Sequence, residues 1–190
     1  KIAIMLIMLV FVRNNELLGG QWQEVDFKNK RWIIPAERMK HEKMKPKPAL
    51  CVPLSDWAIE LLQELHTLTG HSRFMFPSRT NVNRHISENT LGKIINEKLG
   101  YKGKATPHGF RAVASSLLYE NNFNGGAIET QLAHVEENKI KDSYAYQADY
   151  MPQRIEFMQW YSDYLRKRYN QALQMIQESK DGLKIPYTRE

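Results

Sequence analysis

The sequence predicts a mainly α domain with one small antiparallel β-sheet, an α+β arrangement. Three observations carry that expectation. Apolar residues recur at helical spacing through most of the chain. One early stretch, residues 21–54, instead breaks into short apolar clusters parted by polar turns. The composition, 42% hydrophobic and 25% charged over 190 residues, is that of a chain able to bury roughly 70% of its unfolded surface. It excludes a disordered or collagen-like chain.

The apolar run Ile2 to Val12 is too short to cross a bilayer of about 30 Å. It lacks the flanks of a signal peptide. We read it as a buried helix of a chain cut from something longer, with the cytoplasm as default compartment and no membrane partner. Residues 2–12 and 14–19 read as two helical pieces broken at Arg13-Asn14-Asn15, the second stopped by Gly19-Gly20. Trp22, Val25 and Phe27, then Trp32-Ile33-Ile34, then Leu50-Cys51-Val52 mark the strands. Between the last two lies Lys40 to Pro48, with two prolines and four lysines, the pattern of an exposed basic hairpin loop.

Ser55 is a good N-cap for a helix whose inner face is Ile59, Leu62 and Leu65 and whose end is Gly70. Residues 73–77 read as extended and Ser78 to Asn89 as polar loop. Helix resumes near Glu88 with Leu91, Ile94, Ile95 and Leu99 on its apolar face. Residues 107–121, 125–133, 138–147 and 152–178 all favour helix. In the last, Ile155, Phe157, Met158, Tyr161, Tyr164 and Leu165 are apolar enough to pack on the domain. We take 1–178 as the domain and 179–190 as a tail.

Several chemistries are excluded. The single cysteine, Cys51, forbids an intramolecular disulfide and a cysteine metal cage. There is no phosphate-binding loop and no Gly-x-Gly-x-x-Gly. His41-Glu42 has no second histidine at zincin spacing, and His66 and His71 read as surface residues. Ser115-Ser116 has no nucleophile-elbow context. No metal or cofactor is expected. Lys and Arg number 27 against 21 Asp and Glu, a net charge of +6 with a pI near 9.3, which points to a polyanionic partner.

One constellation remains. His108 and Arg111 lie three apart at a helix start, on one face, where the helix amides favour an anion. A capped helix with solvated side chains would show the same residues. His134 follows an apolar helix end, as a C-cap partner or core residue also would. Tyr144 stands ten positions later. Arg13 interrupts an apolar stretch and must reach water or an anionic partner, for which Glu16 is the near choice.

In order, these pieces resemble the catalytic domain of tyrosine recombinases, closest to the phage-type integrases of genomic islands and satellite prophages. The matching text is Phe11-Val12-Arg13-Asn14-Asn15-Glu16-Leu17, Trp22-Gln23-Glu24-Val25-Asp26, Ile34-Pro35-Ala36-Glu37-Arg38-Met39-Lys40, Val52-Pro53-Leu54-Ser55, His108-Gly109-Phe110-Arg111, Leu132-Ala133-His134-Val135-Glu136 and Gln159-Trp160. The resemblance implies that Arg13 is the first catalytic arginine with Glu16 its acidic companion, and Lys40 the hairpin lysine. His108 and Arg111 fill the His-x-x-Arg positions, His134 the histidine-or-tryptophan position, and Tyr144 the nucleophile. Lys43, Lys45 and Lys47 crowd the hairpin as DNA contacts and rivals to Lys40; Tyr146 and Tyr150 rival Tyr144. The usual Pro-Gly after the first arginine is Asn14-Asn15 here, and the usual Leu-Gly-His is Leu-Ala-His. The family's N-terminal DNA-binding regions are absent from this stretch.

The implied activity is integration or excision of a mobile element. Double-stranded DNA at attachment sites would be cut and rejoined through a 3′-phosphotyrosyl link. The protein would assemble as a tetramer on DNA, with a monomer possible off it. Those residue types suit the chemistry. Two guanidiniums bind non-bridging phosphate oxygens and stabilise the pentacoordinate transition state. A lysine gives a proton to the departing 5′ oxygen, and His108 handles the tyrosine proton. His134 hydrogen-bonds the phosphate. The alternatives are a non-catalytic DNA-binding remnant of the same fold and a type IB topoisomerase-like activity.

Overall fold

The computed structural model describes residues 1–39, 48–134 and 150–180. Lys40, Lys43, Lys45 and Lys47, the helix expected over 138–147, Tyr144 and Tyr146, and residues 181–190 lie outside the described residues.

Among the described residues the architecture is helical around one small sheet. Helix α1 (Ile2–Leu9) is followed by α2 (Asn14–Leu18). The expected helix over 2–12 stops at Leu9 because Phe11 adopts φ +58°, a left-handed conformation that a helix cannot carry. Tertiary contacts hold it there. The buried Phe11 ring lies against Tyr161 edge-on at 4.9 Å and parallel to Phe157 at 6.4 Å. Val10 and Val12 are buried beside it, so the whole run still serves the core.

Strands β1 (Val25–Asp26), β2 (Arg31–Ile34) and β3 (Leu50–Pro53) form an antiparallel sheet in the order β1-β2-β3. Trp32 sits opposite Val25 on one side and Val52 on the other. Alternation sends Trp32 and Ile34 inward and leaves Ile33 exposed. Trp22, read as part of a strand, instead starts a 3-10 turn (Trp22–Glu24).

Helix α3 (Asp56–Thr69) begins as expected at Ser55, whose Oγ accepts the Ala58 N–H, and ends at Gly70. Helix α4 (Asn89–Lys93) runs into a π-helical turn, Ile94–Lys98. The extra residue of that turn shifts the helical register beyond it by one position. Leu99, expected on the apolar face, is therefore half exposed, while Leu91 and Ile95 stay buried.

Helix α5 (Pro107–Glu120) has Thr106 as N-cap, its Oγ1 accepting the Gly109 N–H at 2.9 Å. Helix α6 (Gly125–Gln131) is capped by Asn124 in the same way. The last helix, α7, spans Met151–Lys180. Its first half packs through Phe157, Met158 and Tyr161. Ile155, expected to join them, is 50% exposed, because the inward position in that register belongs to Arg154. Leu173 and Ile176 farther along are exposed. Helix α1 is central and touches α3, α5 and α7.

Candidate active site

The site forms where the start of α2, the second turn of α5 and the end of α6 converge. Arg13 is the N-cap residue of α2, extended at φ −72° and ψ 153°. Its backbone N–H donates to Glu16 Oε2 at 2.7 Å, and its Nη1 donates to Glu16 Oε1 at 3.0 Å. Glu16 is 2% exposed while the Arg13 side chain is about a quarter exposed. The carboxylate thus fixes the arginine from below and leaves part of it open to solvent. This is the partner that sequence reasoning named.

Arg111 projects from α5 and is 5% exposed. Its Nη1 donates to the Phe11 carbonyl at 2.6 Å, and its Nη2 donates to the Leu132 carbonyl. One guanidinium thereby ties together the chain two residues before Arg13 and the chain two residues before His134. Burial, aided by the positive charge of Arg13, pushes the Arg111 pKa down to about 10; Glu16 and Glu129 act the other way. The Arg111 guanidinium thus sits within electrostatic reach of Arg13 and of two carboxylates.

His108 is exposed at the second position of α5, one turn before Arg111 and on the same face. His134 is also exposed, its Nδ1 2.7 Å from Glu129 Oε2. Glu129 Oε1 in turn accepts the Tyr119 hydroxyl at 2.8 Å. His134 stands at the end of a Schellman turn: its N–H donates to the Glu129 carbonyl and the Ala133 N–H to the Thr130 carbonyl. That turn requires the left-handed φ of +47° at Ala133. Arg13, Glu16, Arg111 and the His134 turn are thus brought together. Tyr150, a rival nucleophile, is half-buried with its ring against α6; a Cβ at Gly126 would meet its hydroxyl at 3.0 Å.

Sequence reasoning missed the support beneath this site. Arg38 Nη2 donates to Glu24 Oε2 at 2.9 Å and to the Glu16 carbonyl at 3.0 Å, joining the sheet to α2. Trp32 Nε1 donates to the same carboxylate oxygen at 3.0 Å. Burial lowers the Arg38 pKa. Asn14 and Asn15, standing where the resemblance expected Pro-Gly, both donate through their side chains to Glu88, the first to its carbonyl and the second to its carboxylate. Gln131 and Arg154 form a further buried cluster. Their signal was available: each is polar at a position in register with an apolar stripe, Ile128 in α6 with Leu132 at its C-cap, and Phe157, Met158 and Tyr161 in α7.

Among the described residues no group of three or more His, Cys, Asp or Glu side chains could hold a metal. No described helix is long and apolar enough to cross a membrane.

Residues 1–151 match the phage integrase family. The chain is 35% identical to the integrase of Enterobacteria phage P4 over 195 aligned positions, 96% of this chain and 44% of that protein. It is 35% identical to the prophage integrase IntA of Escherichia coli (strain K12), over 84% of this chain and 37% of that one. With the integrase of Shigella phage Sf6 the identity is 36%, over 88% and 42%. The chain thus spans less than half the length of these relatives. Among solved structures, XerA recombinase superposes with a TM-score of 0.56 at 20% identity, covering 90% of this chain and 57% of that one. The integrase from mycobacterium phage Brujita gives 0.59 at 14% identity, covering 83% and 50%. These likenesses show that the chain shares its fold with those two proteins.

Proposed function

The chain belongs to the phage integrase family, and from that premise we propose that it is the catalytic domain of a site-specific tyrosine recombinase that integrates or excises a mobile element. The observation that carries this reading is the pairing of Arg13 with Arg111. Glu16 holds Arg13, and the Phe11 and Leu132 carbonyls hold Arg111 two residues along the chain from Arg13 and from His134, which presents two guanidiniums to one phosphodiester.

The substrate is double-stranded DNA at an attachment site. The Tyr144 hydroxyl oxygen attacks the phosphorus, and the bond to the 5′ oxygen breaks. Arg13 and Arg111 hold the non-bridging oxygens as charge builds on them. Lys40 gives the departing 5′ oxygen its proton; His108 takes the proton from the tyrosine. His134, oriented by Glu129, donates to the phosphate. Lys43, Lys45 and Lys47 contact the DNA backbone beside the cut. The 3′-phosphotyrosyl link conserves the energy of the broken bond, so a second DNA end rejoins without a nucleotide cofactor or metal. The domain comprises residues 1–178 with 179–190 as a tail. It assembles as a tetramer on DNA and works in the cytoplasm.

Incubation with a duplex nicked beside the cut site traps the intermediate, because the released fragment diffuses away. A protein–DNA band that survives denaturation and disappears in Arg111→Ala is the expected result. Stable DNA binding with no such band favours a non-catalytic DNA-binding domain.

A further inference from the structure

Between α6 and α7 the interior holds a polar cluster that the proposed reaction does not use. Gln131 is fully buried and Arg154 is 1% exposed. Arg154 Nε and Nη2 both donate to Gln131 Oε1, at 3.0 and 2.8 Å, and Nη2 also donates to the Cys51 carbonyl of β3. Gln131 Nε2 donates onward to the Val10 carbonyl at 3.3 Å. A buried cation carries a heavy desolvation penalty, and an apolar pair of similar volume would fill the same space without it. What an arginine fork adds is fixed geometry between the groups that it grips.

Those groups neighbour the site residues in the chain. Val10 precedes Phe11, whose carbonyl holds Arg111 Nη1, and stands three residues before Arg13. Gln131 precedes Leu132, whose carbonyl holds Arg111 Nη2, and stands three residues before His134. Cys51 lies in β3, the strand that comes after the lysine-rich hairpin in sequence. Gln131 and Arg154 also bracket the stretch of sequence that carries Tyr144.

We propose that Arg154 is a positioning residue, which through Gln131 and the Cys51 carbonyl sets the relative placement of the Arg13 turn, the His134 end of α6 and strand β3. It touches no reacting atom and acts on the rate of cleavage through the two arginines. The inference rests on the recombinase reading of the site.

Two variants test it in the whole chain. Arg154→Lys keeps the charge and loses the fork. The double variant Gln131→Met with Arg154→Met replaces the cluster with apolar groups of similar size, which removes the danger of a lone buried charge. The readouts are DNA affinity, single-turnover adduct formation on a nicked duplex at saturating DNA, and hydrogen exchange of the amides of residues 11–17. The expected result is unchanged affinity, adduct formation at least tenfold slower in both variants, and faster exchange over 11–17. A folded, DNA-bound variant cleaving at the parent rate overturns the proposal, as does unchanged exchange. If the double variant does not fold, Arg154→Lys decides by the same criteria. If the parent itself forms no adduct, the recombinase reading fails, and the exchange measurement alone decides the positioning claim.

Discussion

Replacing Ala133 with glycine should stabilise the protein, although it removes a side-chain carbon. Ala133 holds φ +47° at the position just past the end of α6. The surrounding turn is locked by the Ala133 N–H to the Thr130 carbonyl and the His134 N–H to the Glu129 carbonyl, each at 3.1 Å. An L-residue with a Cβ costs roughly 1–2 kcal/mol in that conformation, and glycine escapes it. Against this, glycine gives the unfolded chain extra freedom worth about 0.4–1 kcal/mol. The half-buried methyl is worth a fraction of about 0.8 kcal/mol. The net is a gain of about 0.5 kcal/mol, or about 1–2 °C in melting temperature for a chain of this size. Urea titration and differential scanning calorimetry both read it. Asn122, in the matching turn after α5 at φ +61°, is the control: Asn122→Ala should lose about 0.5–1 kcal/mol, since asparagine tolerates the conformation better than alanine. A lower melting temperature for Ala133→Gly would refute the strain assigned to the turn.

Three further outcomes are expected. Glu16→Gln should lose about 2 kcal/mol in urea titration, because it breaks an ion pair, 3.0 Å long, whose carboxylate is buried and whose arginine is partly solvated; a loss under about 0.5 kcal/mol would give the pair no more weight than one on the surface. Tyr161 has its pKa pushed up to about 12 by burial. Its folded value exceeds the unfolded one, so its contribution is intact below about pH 10 and is lost as pH rises towards 12. Tyr161→Phe should therefore remove about 3 kcal/mol of alkaline destabilisation, read as a smaller drop in urea midpoint across that window; parallel curves for the two proteins would contradict it. DNA affinity should fall steeply between about 50 and 200 mM salt as phosphate contacts release counterions, and a flat response in fluorescence anisotropy would count against a phosphate-gripping face.

The strands, the Ser55 cap and the helices α3, α5, α6 and α7 were legible because their signals are local: alternation, apolar periodicity and a capping side chain. The end of α1 was not. Phe11 is apolar and fits a helix by pattern, and only its ring contacts on α7 and the Arg111 fork reveal why the chain turns there. Leu99 was misplaced for a related reason, since a π-helical turn leaves no periodic trace that one sequence discloses. Ile155 lost its inward position to Arg154, whose place in the stripe of Phe157, Met158 and Tyr161 is readable in the sequence but whose partners on α6 and β3 are not. In the site, Arg13 with Glu16 could be paired from a three-residue spacing. The fork of Arg111 onto Phe11 and Leu132 joins residues 100 and 21 positions away, which local pattern does not encode.

The most direct test of the proposed chemistry identifies the residue that becomes joined to DNA. The adduct trapped on a nicked duplex is digested with protease and nuclease, and tandem mass spectrometry locates the residual phosphonucleotide. A phosphonucleotide on Tyr144 is the expected result, with none trapped by Tyr144→Phe. A phosphonucleotide on Tyr146 or Tyr150, or bound nicked DNA with no covalent product at all, would contradict it.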